Sequence, residues 1–228
     1  MKKYHKLRVY LISLAAMIVT VTNSCKEEND NPETVADIDG NVYRTVVIGT
    51  QVWLGENLKT TRYENGDPIK EITGDTDWLN QTSGAYCKYD NNLTNVPVYG
   101  LLYNWYAVQD TRNICPAGWH VPSYDDWTTL VDFLEGESAA GGKMKQKGTS
   151  YWNSPNTGAT DDYDFTALSS GYRLGGTFRE PGYYAVFWSS TEADVTDARI
   201  LSLINSTSRV YLEEAYKSDG YSVRCIKH

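Results

Sequence analysis

The sequence predicts an α+β domain with few helices, many short strands and long ordered loops. Three observations lead there. The second half is mostly extended segments separated by turns: GYRLGGTF (171–178), YAVFWSST (184–191), ARILSLIN (198–205), SRVYLEE (208–214) and GYSVRCIK (220–227). Only one helix start is strongly marked, at Pro122-Ser123-Tyr124-Asp125-Asp126. Residues 62–97 are rich in Asn, Asp, Gly and Thr, yet they carry Trp78, Tyr86 and Tyr89, which need somewhere to pack. A chain of 228 residues suits one sizeable domain, and no internal repeat interrupts it.

The first 24 residues read as an export signal. Lys2, Lys3, Lys6 and Arg8 precede the short apolar run LISLAAMIVTVT, which is too brief for a stable membrane span. Ser24-Cys25 then resembles a bacterial lipoprotein cleavage site, with Cys25 as the acylated new N-terminus and Thr22 where an aliphatic residue is usual. Lys26-Glu27-Glu28-Asn29-Asp30 resembles the signal that sends such lipoproteins to the outer face of the outer membrane. Attachment through this lipid, at about 0.8 kcal/mol per buried methylene, is the membrane contact expected. Residues 25–37 read as a polar tether. Loss of the leader removes four positive charges and no negative ones, taking the net charge from −8 to −12. So acidic a chain is unsuited to nucleic acid, whose affinity rests on Lys and Arg against phosphate.

From residue 38 the pattern becomes globular. Asp37-Ile38-Asp39-Gly40 is a turn signal, Val42 to Ile48 alternates as a strand, and Gln51-Val52-Trp53-Leu54 resumes in extended form after Gly49-Thr50. GLLYNWYAV (100–108) predicts a short buried helix. At 122–136, Ser123 is a natural N-cap and Asp126 its capping-box partner. Trp127, Leu130, Val131 and Leu134 share one helical face, and Gly136 follows where a left-handed residue is wanted. Asp125 and Asp126 thus have a structural role, as does His120; His5 lies in the leader and His228 at the end, so a His-rich metal site of catalytic type is not expected. Beyond Cys25 the three cysteines are Cys87, Cys115 and Cys225. An odd number in an exported protein points to one bridge and one thiol. Cys115–Cys225 would staple the start of the main helix to the last strand, with Cys87 either free or the true partner of one of them.

A family resemblance becomes specific across DGNVYRTVVIGTQVWLGENLKTTRYENGDPI (39–69), GAYCKYDNN (84–92), YGLLYNWYAV (99–108), CPAGWHVPSYDDWTTL (115–130), GYR (171–173), FWSSTE (187–192) and YSVRCIK (221–227). In that order they resemble the Fibrobacter succinogenes major paralogous domain over residues 38–228. That resemblance implies a surface or secreted module, often a lipoprotein of Bacteroidetes or Fibrobacteres. More distantly, VPSYDDW and YSVRCIK resemble the formylglycine-generating enzyme family. This implies a C-type-lectin-like fold: an irregular α+β domain with small twisted antiparallel sheets.

The function expected is binding without chemistry: adhesion, or recognition of a glycan or a surface protein. Trp53, Trp105, Trp119, Trp127 and Trp188 lie in the family motifs and are expected to pack, whereas Trp78, Trp152, Tyr183 and Tyr184 fall in loops and are the candidate ligand platforms. Asp161, Asp162 and Asp164 are the candidate calcium ligands, against a plain reading as a solvated acidic turn. Glu180-Pro181-Gly182 lacks the third oxygen ligand of a lectin calcium loop, so no cofactor is otherwise expected. A structural role in a surface complex, through loops 62–97 and 136–165, is the alternative. An oxidase of the formylglycine-generating type is disfavoured, because the closely spaced cysteine pair that family uses near its C-terminus is missing: Cys225 stands alone in the last hundred residues.

Overall fold

The computed structural model describes Met1 and residues 33–228; Cys25, the leader and the acidic run after it lie outside the described residues. Residues 34–36, expected within the polar tether, are extended and paired. Thr34–Ala36 forms β1, antiparallel to β2 (Val42–Ile48), with Val35 opposite Tyr43. The turn between them follows the sequence signal. The Asp37 carboxylate accepts from the N–H groups of Asp39 (3.0 Å) and Asn41 (2.9 Å) and from the Tyr43 hydroxyl (2.6 Å), and Gly40 takes φ 81°. Strand β3 (Gln51–Leu54) returns along β2.

Residues 62–97, expected as loop, contain short elements: β4 (Lys70–Glu71), α1 (Asp75–Leu79), β5 (Ala85–Cys87) and the single turn α2 (Val96–Tyr99). The apolar run 100–108 divides into β6 (Leu102–Tyr103) and α3 (Trp105–Val108). Asn104 causes the division. Its buried amide oxygen accepts from Ala85 (2.9 Å) and Ala107 (3.1 Å), capping α3 while it leaves the preceding residues free to pair. Strands β4, β5 and β6 form a small sheet.

Strand β7 (Trp119–His120) leads into α4 (Tyr124–Phe133). Its capping box is reciprocal: Ser123 Oγ accepts from Asp126 N–H (3.1 Å), and Asp126 Oδ2 accepts from Ser123 N–H (2.8 Å). Trp127, Leu130, Val131 and Leu134 are all buried, and Gly136, at φ 84°, sends its N–H back to the Val131 carbonyl (2.9 Å). A second helix, α5 (Glu137–Met144), lies where loop was expected. Its Gly141-Gly142 pair disfavours a helix locally. A Cβ on Gly141 would sit 2.3 Å from the Arg209 carbonyl oxygen, and one on Gly142 2.3 Å from that of Gly158. Close packing demands these glycines.

Strands β8 (Tyr172–Leu174) and β9 (Thr177–Arg179) form a hairpin, and β10 (Tyr184–Glu192), β11 (Asp197–Ile204) and β12 (Val210–Tyr216) an antiparallel meander. The expected strand over 220–227 is mostly a row of isolated bridges, from Gly220 to Arg173, Tyr221 to Tyr103 and Ser222 to Phe187. Only β13 (Ile226–Lys227) is regular, and it lies between β3 and β7 in the sheet ordered β1-β2-β3-β13-β7. The fold is thus mixed α and β, mostly small antiparallel sheets with few helices.

The β10–β12 sheet divides the core by its two-residue alternation. Ala185, Phe187, Leu201, Leu203 and Val210 pack with Trp53, Trp127, Trp152 and Phe165; Val186, Trp188, Ala198 and Ile200 pack with Tyr103, Trp105, Tyr221 and Val223. A smaller cluster holds Trp78, Cys87 and Leu102. Cys115 and Cys225 form the expected disulfide, with Cα atoms 6.0 Å apart, and Cys87 is the buried free thiol.

Three fully buried cations hold the irregular segments. The Arg173 guanidinium donates to the carbonyls of Gly176 (2.7 Å), Ile72 (2.9 Å) and Thr73 (2.9 Å). Arg224 joins Leu54, Asn57 and Phe165. Lys145 Nζ donates to the carbonyls of Thr157 (3.0 Å), Ile204 (2.9 Å) and Thr207 (2.7 Å), and burial lowers its ammonium to about 8. Loop backbone that lacks ladder partners must still be hydrogen-bonded, and these side chains provide the donors.

Candidate functional site: an aromatic and acidic groove

One face of the β10–β12 sheet is only half covered. Register places Trp188 opposite Ile200 and Val186 opposite Ser202, with Ile200 in turn opposite Glu213. Trp188 packs beneath Tyr221, with ring centroids 4.7 Å apart. Toward β12 the face opens into a groove of about 280 Å³ walled by Tyr172, Tyr184 and Tyr221 and floored by Val186, Ile200 and Ser202. It runs into a second concavity of about 420 Å³ that shares Leu174, Glu214, Ala215 and Tyr221 and adds Asp197, Tyr216 and Asp219.

The rings form a corner. Tyr172 lies 5.8 Å from Tyr184 at 85°, and 5.8 Å from Tyr221 at 50°. Polar groups stand at the edges. Ser202 Oγ donates to Glu213 (3.0 Å), the Tyr221 hydroxyl donates to Asp219 (3.3 Å), and Gly175 N–H reaches the other Asp219 oxygen (3.3 Å). Asp219 is 2% exposed, and burial pushes its carboxyl up to about 6. Glu214 pairs with Arg199 at 2.8 Å, so the acidity of the groove rests on Asp197, Glu213 and Asp219. Aromatic faces with hydroxyl and carboxylate partners suit a ligand that has both C–H faces and hydroxyl groups.

A larger concavity of about 520 Å³ lies between Tyr63, Lys70, Tyr106 and Arg112. There Arg112 lies 3.9 Å over the Tyr63 ring and makes paired bonds to Asp110 (2.9 and 2.7 Å) and a third to Asp67 (3.1 Å). Its arginine is already satisfied by Asp110 and Asp67, so it is the weaker candidate.

Of the four expected platform residues, only Tyr184 lines the groove. Tyr183, its neighbour, is 44% exposed but outside it. Trp78 and Trp152 are corrections: each is 1% exposed, Trp78 beneath the Arg173 guanidinium (4.7 Å) and Trp152 donating from Nε1 to the Ala167 carbonyl (2.9 Å). The five motif tryptophans are buried as expected.

The acidic turn ties one of its carboxylates into its own loop. Asp161 accepts from the N–H (2.7 Å) and hydroxyl (2.9 Å) of Thr166, so its carboxylate closes a loop, while Asp162 and Asp164 are exposed. Among the described residues no three His, Cys, Asp or Glu side chains converge as a metal site. Tyr172, Glu213, Asp219 and Tyr221 were missed. The alternation in SRVYLEE would have placed Glu213 on a shared face with Tyr211, but nothing local brings segments 172, 184, 213 and 221 together.

No curated protein and no solved structure matches the chain. The model of the Fibrobacter succinogenes major domain matches residues 46–227. That span takes in nearly all of the folded part, from within β2 to the end of β13, and the chain belongs to the Fibrobacter succinogenes major domain family.

Proposed function

We propose that this protein is a non-catalytic binding module of the bacterial surface that recognises glycan chains without acid groups through the Tyr172–Tyr184–Tyr221 groove. The corner of rings edged by Ser202, Glu213 and Asp219 carries the proposal. Ring faces pack against the C–H faces of a pyranose, while carboxylates accept from its hydroxyls. The carboxylates Asp197 and Glu213 disfavour uronate or sulfate at the same place. The acidic turn binds its own loop, so recognition is independent of calcium. Acylated Cys25 and the short tether would hold the module at the outer membrane, facing outward. Small antiparallel sheets with few helices agree with a C-type-lectin-like fold, which the motif resemblance implies.

The test is a glycan array probed with the mature chain in calcium and in chelator, with reducing-end release measured on every ligand bound. Saturable binding to neutral glycans in both buffers is expected. Tyr184→Ala should weaken it about tenfold, equivalent to about 1.4 kcal/mol. Absence of glycan binding, or an unaffected Tyr184→Ala variant, refutes the groove, and turnover of the ligand refutes a purely binding role. Fatty-acid labelling tests the anchor: a Cys25→Ala variant that still takes up label would remove it.

A further inference from the structure

Arg224 is 1% exposed and its guanidinium lies near the rings of Phe165 (4.5 Å) and Phe187 (5.6 Å). Four of its five N–H groups have acceptors. Nε and one Nη2 hydrogen share Asn57 Oδ1 (3.2 and 2.7 Å), and Nη1 donates to the carbonyls of Leu54 (3.2 Å) and Phe165 (2.6 Å). None of these acceptors is charged. A buried cation without a counter-ion carries a desolvation cost of several kcal/mol. Burial first, and then the nearby Arg44 charge, lower Arg224 to about 9.

Arg44 borders the same place from β2. Its Nη2 donates to Thr166 Oγ1 (2.9 Å) and the Asp164 carbonyl (3.0 Å). Glu56 stands 4.0 Å from Arg44 and 3.7 Å from Lys59, so one carboxylate is divided between two cations. Asp161, the other acid in range, is engaged by Thr166. Two cations, Arg44 and Arg224, thus line the place with one carboxylate, Glu56. Arg44, Glu56, Asn57, Thr166 and Arg224 line a pocket of about 220 Å³, with apolar Leu168 and Val98 beside them and Val98 38% exposed.

We propose that this pocket binds a hexuronate, its carboxylate between Arg44 and Arg224 and its ring against Val98 and Leu168. The second Nη2 hydrogen of Arg224 and the Nη1 group of Arg44, neither with an acceptor among the described residues, supply charge-assisted donors. A surplus of one positive charge matches a monoanion better than a phosphate dianion. Asn57 and Thr166 are within the lining to meet ring hydroxyls, and the apolar pair favours a compact sugar over a free inorganic ion. The site is separate from the tyrosine groove, whose carboxylates repel such a ligand, and does not depend on it.

The experiment titrates the mature chain with D-glucuronate and with D-glucuronamide, which has the same ring without the charge, by calorimetry at two salt concentrations. Glucuronate should bind saturably and at least tenfold more tightly than the amide, and more weakly in high salt. Arg44→Gln should lose at least tenfold, Arg44→Lys should retain part of the affinity, and Tyr184→Ala should leave it unchanged. Arg224 is left intact because it joins Leu54, Asn57 and Phe165. Val98→Trp, at the pocket mouth, blocks the site independently should Arg44→Gln fail to fold. Equal affinity for acid and amide, no binding of glucuronate, or undiminished glucuronate binding in the folded Arg44→Gln or Val98→Trp variant overturns the proposal.

Discussion

Replacing Arg173 with Met would remove a guanidinium that is 0% exposed while keeping an apolar chain of similar length. Its partners decide the cost. The carbonyls of Ile72 and Gly176 belong to buried residues and would lose their donor, whereas the Thr73 carbonyl and the Asp75 carboxylate lie at the surface and can hydrate. Each buried acceptor left alone costs about 1–2 kcal/mol. Loss of the cation from the faces of Trp78 (4.7 Å) and Phe178 (4.8 Å) adds about 0.5–1 kcal/mol each. Relief of the guanidinium's desolvation offsets part of this, so a net loss of about 2–4 kcal/mol is expected. A buried ion pair can often be exchanged whole for apolar side chains. Here the acceptors are backbone and stay behind. Urea unfolding followed by tryptophan fluorescence measures the loss, because Trp78 lies under the guanidinium. Arg173→Lys keeps the charge without the planar fork and should fall between wild type and Arg173→Met. A Met variant within about 0.5 kcal/mol of wild type would refute the view that these carbonyls depend on Arg173.

Three further outcomes are expected. Cys115→Ala with Cys225→Ala opens a closure spanning 110 residues and should cost about 3–5 kcal/mol in urea, while Cys87→Ala leaves sensitivity to reductant unchanged. Asp219, raised from 3.8 to about 6, holds its proton in the folded chain where the unfolded chain has released it. Its contribution to stability is therefore complete below 3.8 and is lost as pH rises through about 6; Asp219→Asn should flatten that part of the pH profile of the urea midpoint. Lys145→Met strands the carbonyls of Thr157, Ile204 and Thr207 and should lose about 2–4 kcal/mol in the same titration.

Legibility tracks the range of the forces involved. The α4 start, its capping box and the Gly136 stop are contacts within a few residues, and all are readable as letters. The meander follows from alternation and turns. Helix α5 was hidden because its glycines answer to Arg209 and Gly158, far along the chain. The strand expected over 220–227 dissolved into bridges because its partners, Arg173, Tyr103 and Phe187, belong to three different elements. At the site, Tyr184 was legible as an aromatic between turn residues, but its neighbour Tyr183 looked the same.

By itself, the sequence determined the family, the α+β class and the main helix, since each is written in ordered motifs or local periodicity; it left Cys87 open as a partner, and the structure pairs Cys115 with Cys225. Only the tertiary structure decided which aromatics face solvent. Trp78 and Trp152 are buried because Arg173, Ala167 and Lys145 arrive from elsewhere to cover them. Tyr172, Tyr184 and Tyr221 form one wall because β8, β10 and the segment before β13 converge on a half-covered sheet face. Exposure depends on which distant atoms come close, and composition along the chain carries no record of that.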